Sequence, residues 1–247
     1  MSKDANESKD TARMSRRKML MQAAGVVALF IVCGGSFADD KEAKAAMVEK
    51  LAKRYENNAL TFTSAPLPDV FKIISEAAGV EVIVPDHLRQ KLNERKHITL
   101  NLRGFTWGCA LGYVTEAAGL GFQVDAKGIV LCSSSLSEAG SFVNDDNKES
   151  KAAIMKKIEM KGKGNIKLTG APASMVFPLA AEMVPVNYVI LYTDPQSYKD
   201  QPKITINTET ETFSVKDLFE KVEEATGGKI RIDSYAVVLC EPEKIKK

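Results

Sequence analysis

The sequence predicts an α+β protein of two tandem small domains. Each is expected to be a β-α-β-β-α-β-β unit with two helices packed on one face of a small mixed sheet, preceded by a lead-in helix. Three observations carry this expectation. A near-identical pentapeptide occurs twice, GIVLC at 128–132 and AVVLC at 236–240, at an offset of 108 positions. The match extends upstream: residues 105–132 lie over 213–240 without a gap, so that Val114 faces Val222, Ala117 faces Ala225, Gly119 faces Gly227 and Asp125 faces Asp233. At an offset of 106, HITLN (97–101) faces KITIN (203–207) and TSAP (63–66) faces TGAP (169–172), while EAKAAMVEKL (42–51) resembles ESKAAIMKKI (149–158). Finally, the apolar period alternates between two and 3.6 residues inside each copy. A repeat at fixed spacing decides an architecture before any single element does.

Residues 1–38 read as an export signal. Arg16, Arg17 and Lys18 precede an apolar run at 23–32, and Ser36 and Ala38 supply small residues at the −3 and −1 positions of a cleavage site before Asp39. The run is shorter than the ~20 residues that span a bilayer, which places cleavage ahead of a retained anchor. SRRKML (15–20) fits a twin-arginine signal except for Met19, where Phe is usual, and fits a general secretory signal equally. Met14 would start a compact signal, and the bulky Val32 before Cys33 argues against a lipoprotein.

Residues 39–59 form the lead-in helix, with Ala43, Met47, Leu51 and Tyr55 at helical spacing. The first domain, 60–133, opens on the strand LTFTS. Pro66 and Pro68 end it and pre-set a helix carrying Val70, Ile73, Ile74 and Ala77, which stops at Gly79. VEVIV (80–84) and HITLNL (97–102) are strand-like. A second helix opens at Phe105, carries Leu111, Val114 and Ala118, and closes at Gly119; GFQVD and GIVLC then make a hairpin. Residues 134–164 comprise a polar, acidic linker (134–149) and a second lead-in helix, with KGKGN (161–165) as a flexible approach. The second domain, 165–242, repeats the order with IKLTG, a helix bearing Val176, Leu179 and Met183, VNYVI, KITIN, a helix bearing Leu218 and Val222, KIRID and AVVLC; 243–247 is a tail. Each domain is expected to fold alone.

A composition of 45% hydrophobic and 27% charged residues is that of a globular protein. Cleavage after Ala38 would move the formal charge from +2 to −1. Such a chain lacks the electrostatic footprint of phosphate-backbone binding. Cys109, Cys132 and Cys240 would remain, an odd number in an exported protein. A Cys109–Cys132 bridge is one open arrangement, whereas Cys132 and Cys240 hold equivalent strand ends and read as small apolar fillers. His87 and His97 have no metal-ligand spacing, and no nucleophile elbow, triad or phosphate loop occurs. Trp107 reads as a packing residue. No catalytic, cofactor-binding or metal residue is therefore expected, and no cofactor. An enzyme would require carboxylates such as Asp86 or Asp194 to converge in a cleft.

The short strand, the AP-L-DV-ISEAAGV helix, the TLNLRG strand, and ALGYVTEAAGL with its hairpin ending in IVL resemble the short N-terminal domain shared by secretins and TonB-dependent transducers. The resemblance covers 60–133 well and 166–241 less closely, because Pro185 stands where the first copy has Gly79. Those proteins continue into a barrel, whereas this sequence ends at Lys247. The resemblance implies a non-enzymatic module of the periplasm or outer membrane that docks a secretin, pilus or TonB-type partner. Export, a charge of about −1 after cleavage and few strand aromatics count against nucleic acid; no small-molecule substrate is expected, and membrane association only through an uncleaved signal or a partner. A nucleic-acid-binding α+β domain pair and an envelope enzyme stand as the alternatives.

Overall fold

The structure, a computed structural model, describes residues 36–55, 59–93, 97–143, 148–163, 166–191, 203–207 and 212–240. The export-signal reading over 1–35, Cys33, Asp194 and the tail at 243–247 lie outside the described residues.

In the first repeat, helix α1 (Ser36–Ala52) buries Met47 and Leu51 and leads into strand β1 (Arg54–Tyr55). Strand β2 (Leu60–Pro66) runs into helix α2 (Leu67–Ala78), which buries Leu67, Val70, Phe71 and Ile74. Its C-cap, Gly79, adopts φ 63°, a left-handed conformation in which a residue without Cβ meets no clash. Strand β3 (Val82–Ile83), helix α3 (Asp86–Asn93), strands β4 (His97–Leu102) and β5 (Phe105–Thr106), helix α4 (Trp107–Ala117), and strands β6 (Leu120–Val124) and β7 (Ile129–Ser133) follow. A 3-10 turn (Ser134–Leu136) and helix α5 (Gly140–Val143) connect to helix α6 (Lys148–Glu159). The second repeat comprises β8 (Lys161–Lys163), β9 (Lys167–Pro172), α7 (Ala173–Met183), β10 (Tyr188–Leu191), β11 (Lys203–Asn207), β12 (Thr212–Ser214), α8 (Val215–Thr226), β13 (Lys229–Ile232) and β14 (Val237–Cys240).

The duplication holds at the level of pairing. Antiparallel β1–β5 and β2–β4, parallel β3–β7 and antiparallel β6–β7 recur as β8–β12, β9–β11, β10–β14 and β13–β14. Even an irregularity is copied. Ser64 and Gly170 both take positive φ, 46° and 64°, where β2 and β9 break register. Their amides donate to Thr99 Oγ1 at 2.9 Å and Thr205 Oγ1 at 3.3 Å, so each bulge is pinned from the neighbouring strand.

The two repeats are joined by a shared sheet. Strand β4 gives one edge to β2 and the other to β10, with Asn101 opposite Tyr188, Leu100 opposite Val189 and Thr99 opposite Ile190. The result is a five-stranded sheet in the order β13-β14-β10-β4-β2. Side chains alternate across a strand, and here both faces are buried. Val189, Leu191, Ala236 and Val238 join the core of the first repeat, while Tyr188, Ile190, Val237 and Leu239 join that of the second. A strand covered on both faces must be apolar throughout, which accounts for the second pentapeptide.

The α+β class is as expected, with one refinement. The strands of each repeat divide among small sheets, because the second edge of β4 is occupied by β10 and not by β3. Helices α2 and α4 contact strands of both sheets around them.

Several local expectations change. The two cores lie on opposite faces of one sheet, where separate sheets were expected. The described part of the linker is docked: a Cβ on Gly108 would collide with the Phe142 ring and one on Gly112 with Val143, so α5 lies directly on the backbone of α4. Lys161–Lys163 is a strand paired with β12, not a flexible approach. VEVIV contributes only two strand residues, since β3 has a partner on one edge while β10 has partners on both. Phe105 belongs to β5, and α4 begins beyond Thr106, whose hydroxyl accepts from the Cys109 amide at 3.2 Å.

Candidate functional site: the seam between the repeats

A cluster of titratable side chains lies where α4 meets β13 and β14. Helical spacing puts Cys109, Tyr113 and Glu116 on one face of α4. Arg231, which projects from β13, donates through Nη1 and Nη2 to both Glu116 oxygens at 2.7 and 2.8 Å, and through Nε to Asp233 at 2.9 Å. Asp233 is 1% exposed, so its carboxylate is desolvated and held by this guanidinium. Arg231 is kept charged, its pKa raised first by the hydrogen bond to Glu116 and further by Asp233.

The chemistry of the cluster is closed. Burial, aided by the negative charge of Asp233, pushes the Cys109 thiol far above the range where a thiolate forms. A nucleophilic cysteine needs the opposite environment, electropositive and partly exposed. Burial likewise raises Tyr113 well above an ordinary phenol. Cys109, Cys132 and Cys240 are all free thiols, so the Cys109–Cys132 bridge is absent. Burial also raises Cys132 and Cys240.

A second set of contacts fastens the rim of the seam. Asn187 accepts from the Arg103 amide at 2.8 Å and donates to the carbonyls of Arg103 and Tyr235, each at 2.9 Å. One amide side chain thereby ties the turn after β4 to the hairpin of the second repeat. Beside it opens a groove of about 360 Å³, lined among others by Arg54, Arg103, Lys157, Asn187 and Tyr235. A second groove of about 580 Å³ is lined by Lys50, Lys53, Arg54, Tyr55, Gly79 and Trp107. Arg54 borders both.

The residues singled out from sequence are dispersed. His87 is exposed on α3, and His97 starts β4. Asp86 pairs with exposed Arg89 at 2.9 Å and faces no cleft partner. Trp107 packs against Tyr55 and Phe105 with ring centroids 5.0 and 5.4 Å apart. No group of three or more His, Cys, Asp or Glu suited to a metal occurs among the described residues, and no described helix is long and apolar enough to cross a membrane. The seam cluster was not anticipated, because its members are far apart in the chain; the coincidence of Asp125 and Asp233 was its one visible trace.

No known family model, curated protein or solved structure matches the chain.

Proposed function

We propose that the chain is a non-enzymatic docking module of the cell envelope, exported by its N-terminal segment and built like the short N-terminal domains of secretins and TonB-dependent transducers. The observation that carries this reading is the contrast between two equivalent strands. β4 offers its second edge to β10, whereas β11, its counterpart, pairs only with β9 among the described residues. A strand edge such as that of β11 over Lys203–Ile206 accepts an added strand through backbone hydrogen bonds. The closed chemistry of the seam agrees with a binding role.

A whole further repeat does not fit there. Where α4 presents Cys109, Tyr113 and Glu116 to the second repeat, α8 carries Asp217, Lys221 and Glu224, all exposed. Burying those charges would be costly, so the partner contributes an extended segment and the second repeat acts as a cap.

The test is a photo-crosslinking residue at Lys203, an exposed position on β11, in cells expressing the full chain. The reading expects a discrete adduct with an envelope protein, and no such adduct from the same residue at Glu220 on α8. Adducts at both positions, at neither, or only with cytoplasmic proteins would overturn it.

A further inference from the structure

We propose that the basic groove along the repeat seam binds an acidic peptide segment of a partner protein. The inference rests on the docking reading and adds the chemistry of one docked element.

Lys50, Lys53, Arg54, Arg103 and Lys157 line the two hollows that meet at Arg54, and among the described residues no carboxylate lines either of them. Glu182 lines an adjoining hollow that it shares with Arg103. The segregation is not a reflection of composition, since the chain from Asp39 onward carries a slight acidic excess. Four cations elsewhere form ion pairs: Lys44 with Glu138, Arg89 with Asp86, Lys216 with Glu159 and Arg231 with Glu116. Lys50 reaches the Gly79 carbonyl at 3.4 Å, and Arg54, Arg103 and Lys157 make no ion pair among the described residues. Asn187 holds the Arg103 backbone at both its amide and its carbonyl, so one cation stands on a fixed frame.

The form of the groove selects the ligand. Guanidinium groups pair bidentately with carboxylates, while lysines add point charges along the rim. A nucleic-acid strand would want open aromatic faces, yet Tyr55, Phe105 and Trp107 pack against one another in tilted and edge-to-face contacts. A lone phosphate would want a cradle of backbone amides, whereas these cations are spread over several elements. A lipid surface would want exposed apolar side chains beside the charge; the large exposed ones, such as Met160, Met175 and Met183, line neither hollow.

The experiment is fluorescence anisotropy of a labelled oligoglutamate peptide titrated with the full chain. It is repeated with Lys53→Glu/Arg54→Glu/Arg103→Glu and with a control of equal charge change, Lys72→Glu/Lys127→Glu/Lys221→Glu. The proposal expects the groove variant to weaken binding by about tenfold or more and the control by about twofold or less. Equal weakening by both, or no binding to the parent chain, would overturn it. If the groove variant unfolds at a lower temperature than the parent, Arg103→Gln alone replaces it, with the same direction of effect expected and an unchanged affinity contradicting. A thymidine oligonucleotide and inorganic phosphate are run as competitors; displacement of the peptide by either more effectively than by unlabelled oligoglutamate would also overturn it. Failure here leaves the β11 crosslink unaffected, so loss of the groove and loss of the docking reading give different results.

Discussion

Arg231 and Glu116 lie 115 positions apart and form a two-pronged ion pair at 2.7 and 2.8 Å across the boundary of the duplication. The pair itself is about 40% exposed on each side, which limits its contribution, but the same guanidinium serves Asp233, whose side chain is buried. Removing one partner of a buried charge leaves the other uncompensated. Arg231→Met is therefore expected to lower stability by about 3 kcal/mol, and Glu116→Gln by about 1 kcal/mol. Urea denaturation measures both. Equal effects would contradict the assignment of Asp233 as the group that depends on Arg231.

Asp217 gives the second repeat a pH dependence. The Ser214 amide donates to Asp217 Oδ2 at 2.6 Å and the Asp217 amide donates to Ser214 Oγ at 3.3 Å, a capping box at the start of α8. The Ser214 amide first, then the Ser214 hydroxyl and the charges of Lys161 and Lys216, hold the carboxyl below its ordinary value against the opposing effect of burial. A depressed folded pKa contributes stability above the unfolded value of about 4 that is lost as pH falls through the folded one. Thermal unfolding followed between neutral and strongly acidic pH should therefore show a component that disappears in Asp217→Asn. Ser214→Ala is expected to cost about 1 kcal/mol. An acid profile unchanged by Asp217→Asn would refute this account.

The close approach of α5 to α4 makes Gly108 and Gly112 sensitive. Alanine raises intrinsic helix propensity by about 1 kcal/mol relative to glycine, but the added Cβ at Gly108 overlaps the Phe142 ring. Gly108→Ala is expected to destabilise by about 1 to 3 kcal/mol, and pairing it with Phe142→Ala should recover part of the loss. A double variant whose loss is the sum of the two singles would contradict the contact.

A fragment from Lys148 to Lys247 leaves Val189, Leu191 and Val238 without the first repeat that covers them. Each such side chain is worth roughly 1.5 to 3 kcal/mol of burial. The fragment is expected to bind a hydrophobic dye and to lack a sharp thermal transition. A cooperative transition without dye binding would argue for self-sufficient repeats.

The duplication was legible because both copies kept core spacing and the stop of the second helix, Gly119 and Gly227 both taking a left-handed φ there, 65° and 67°. The joining of the repeats was not, because the choice of a partner for the second edge of β4 leaves no mark in local periodicity. A trace did exist: VVLC and YVIL are apolar at every alternation, while Gln123 keeps β6 polar on its outer face. Helix α3 escaped notice because only Leu88 and Leu92 face inward across its length. The docked strap was hidden by its polar composition, although glycines one turn apart in α4 are the usual sign of close approach. The basic groove could not be read at all, since Lys50, Arg103 and Lys157 converge only once the repeats are welded.

The account rests on two cores sharing one sheet, and scanning calorimetry of the parent chain with Leu100→Ala and Leu239→Ala tests it most directly. Leu100 and Leu239 are buried in the first and second cores respectively. Each truncation should cost about 3 kcal/mol and move a single transition as a whole, with calorimetric and van't Hoff enthalpies in agreement. Two transitions, of which Leu100→Ala moves one and Leu239→Ala the other, would contradict it.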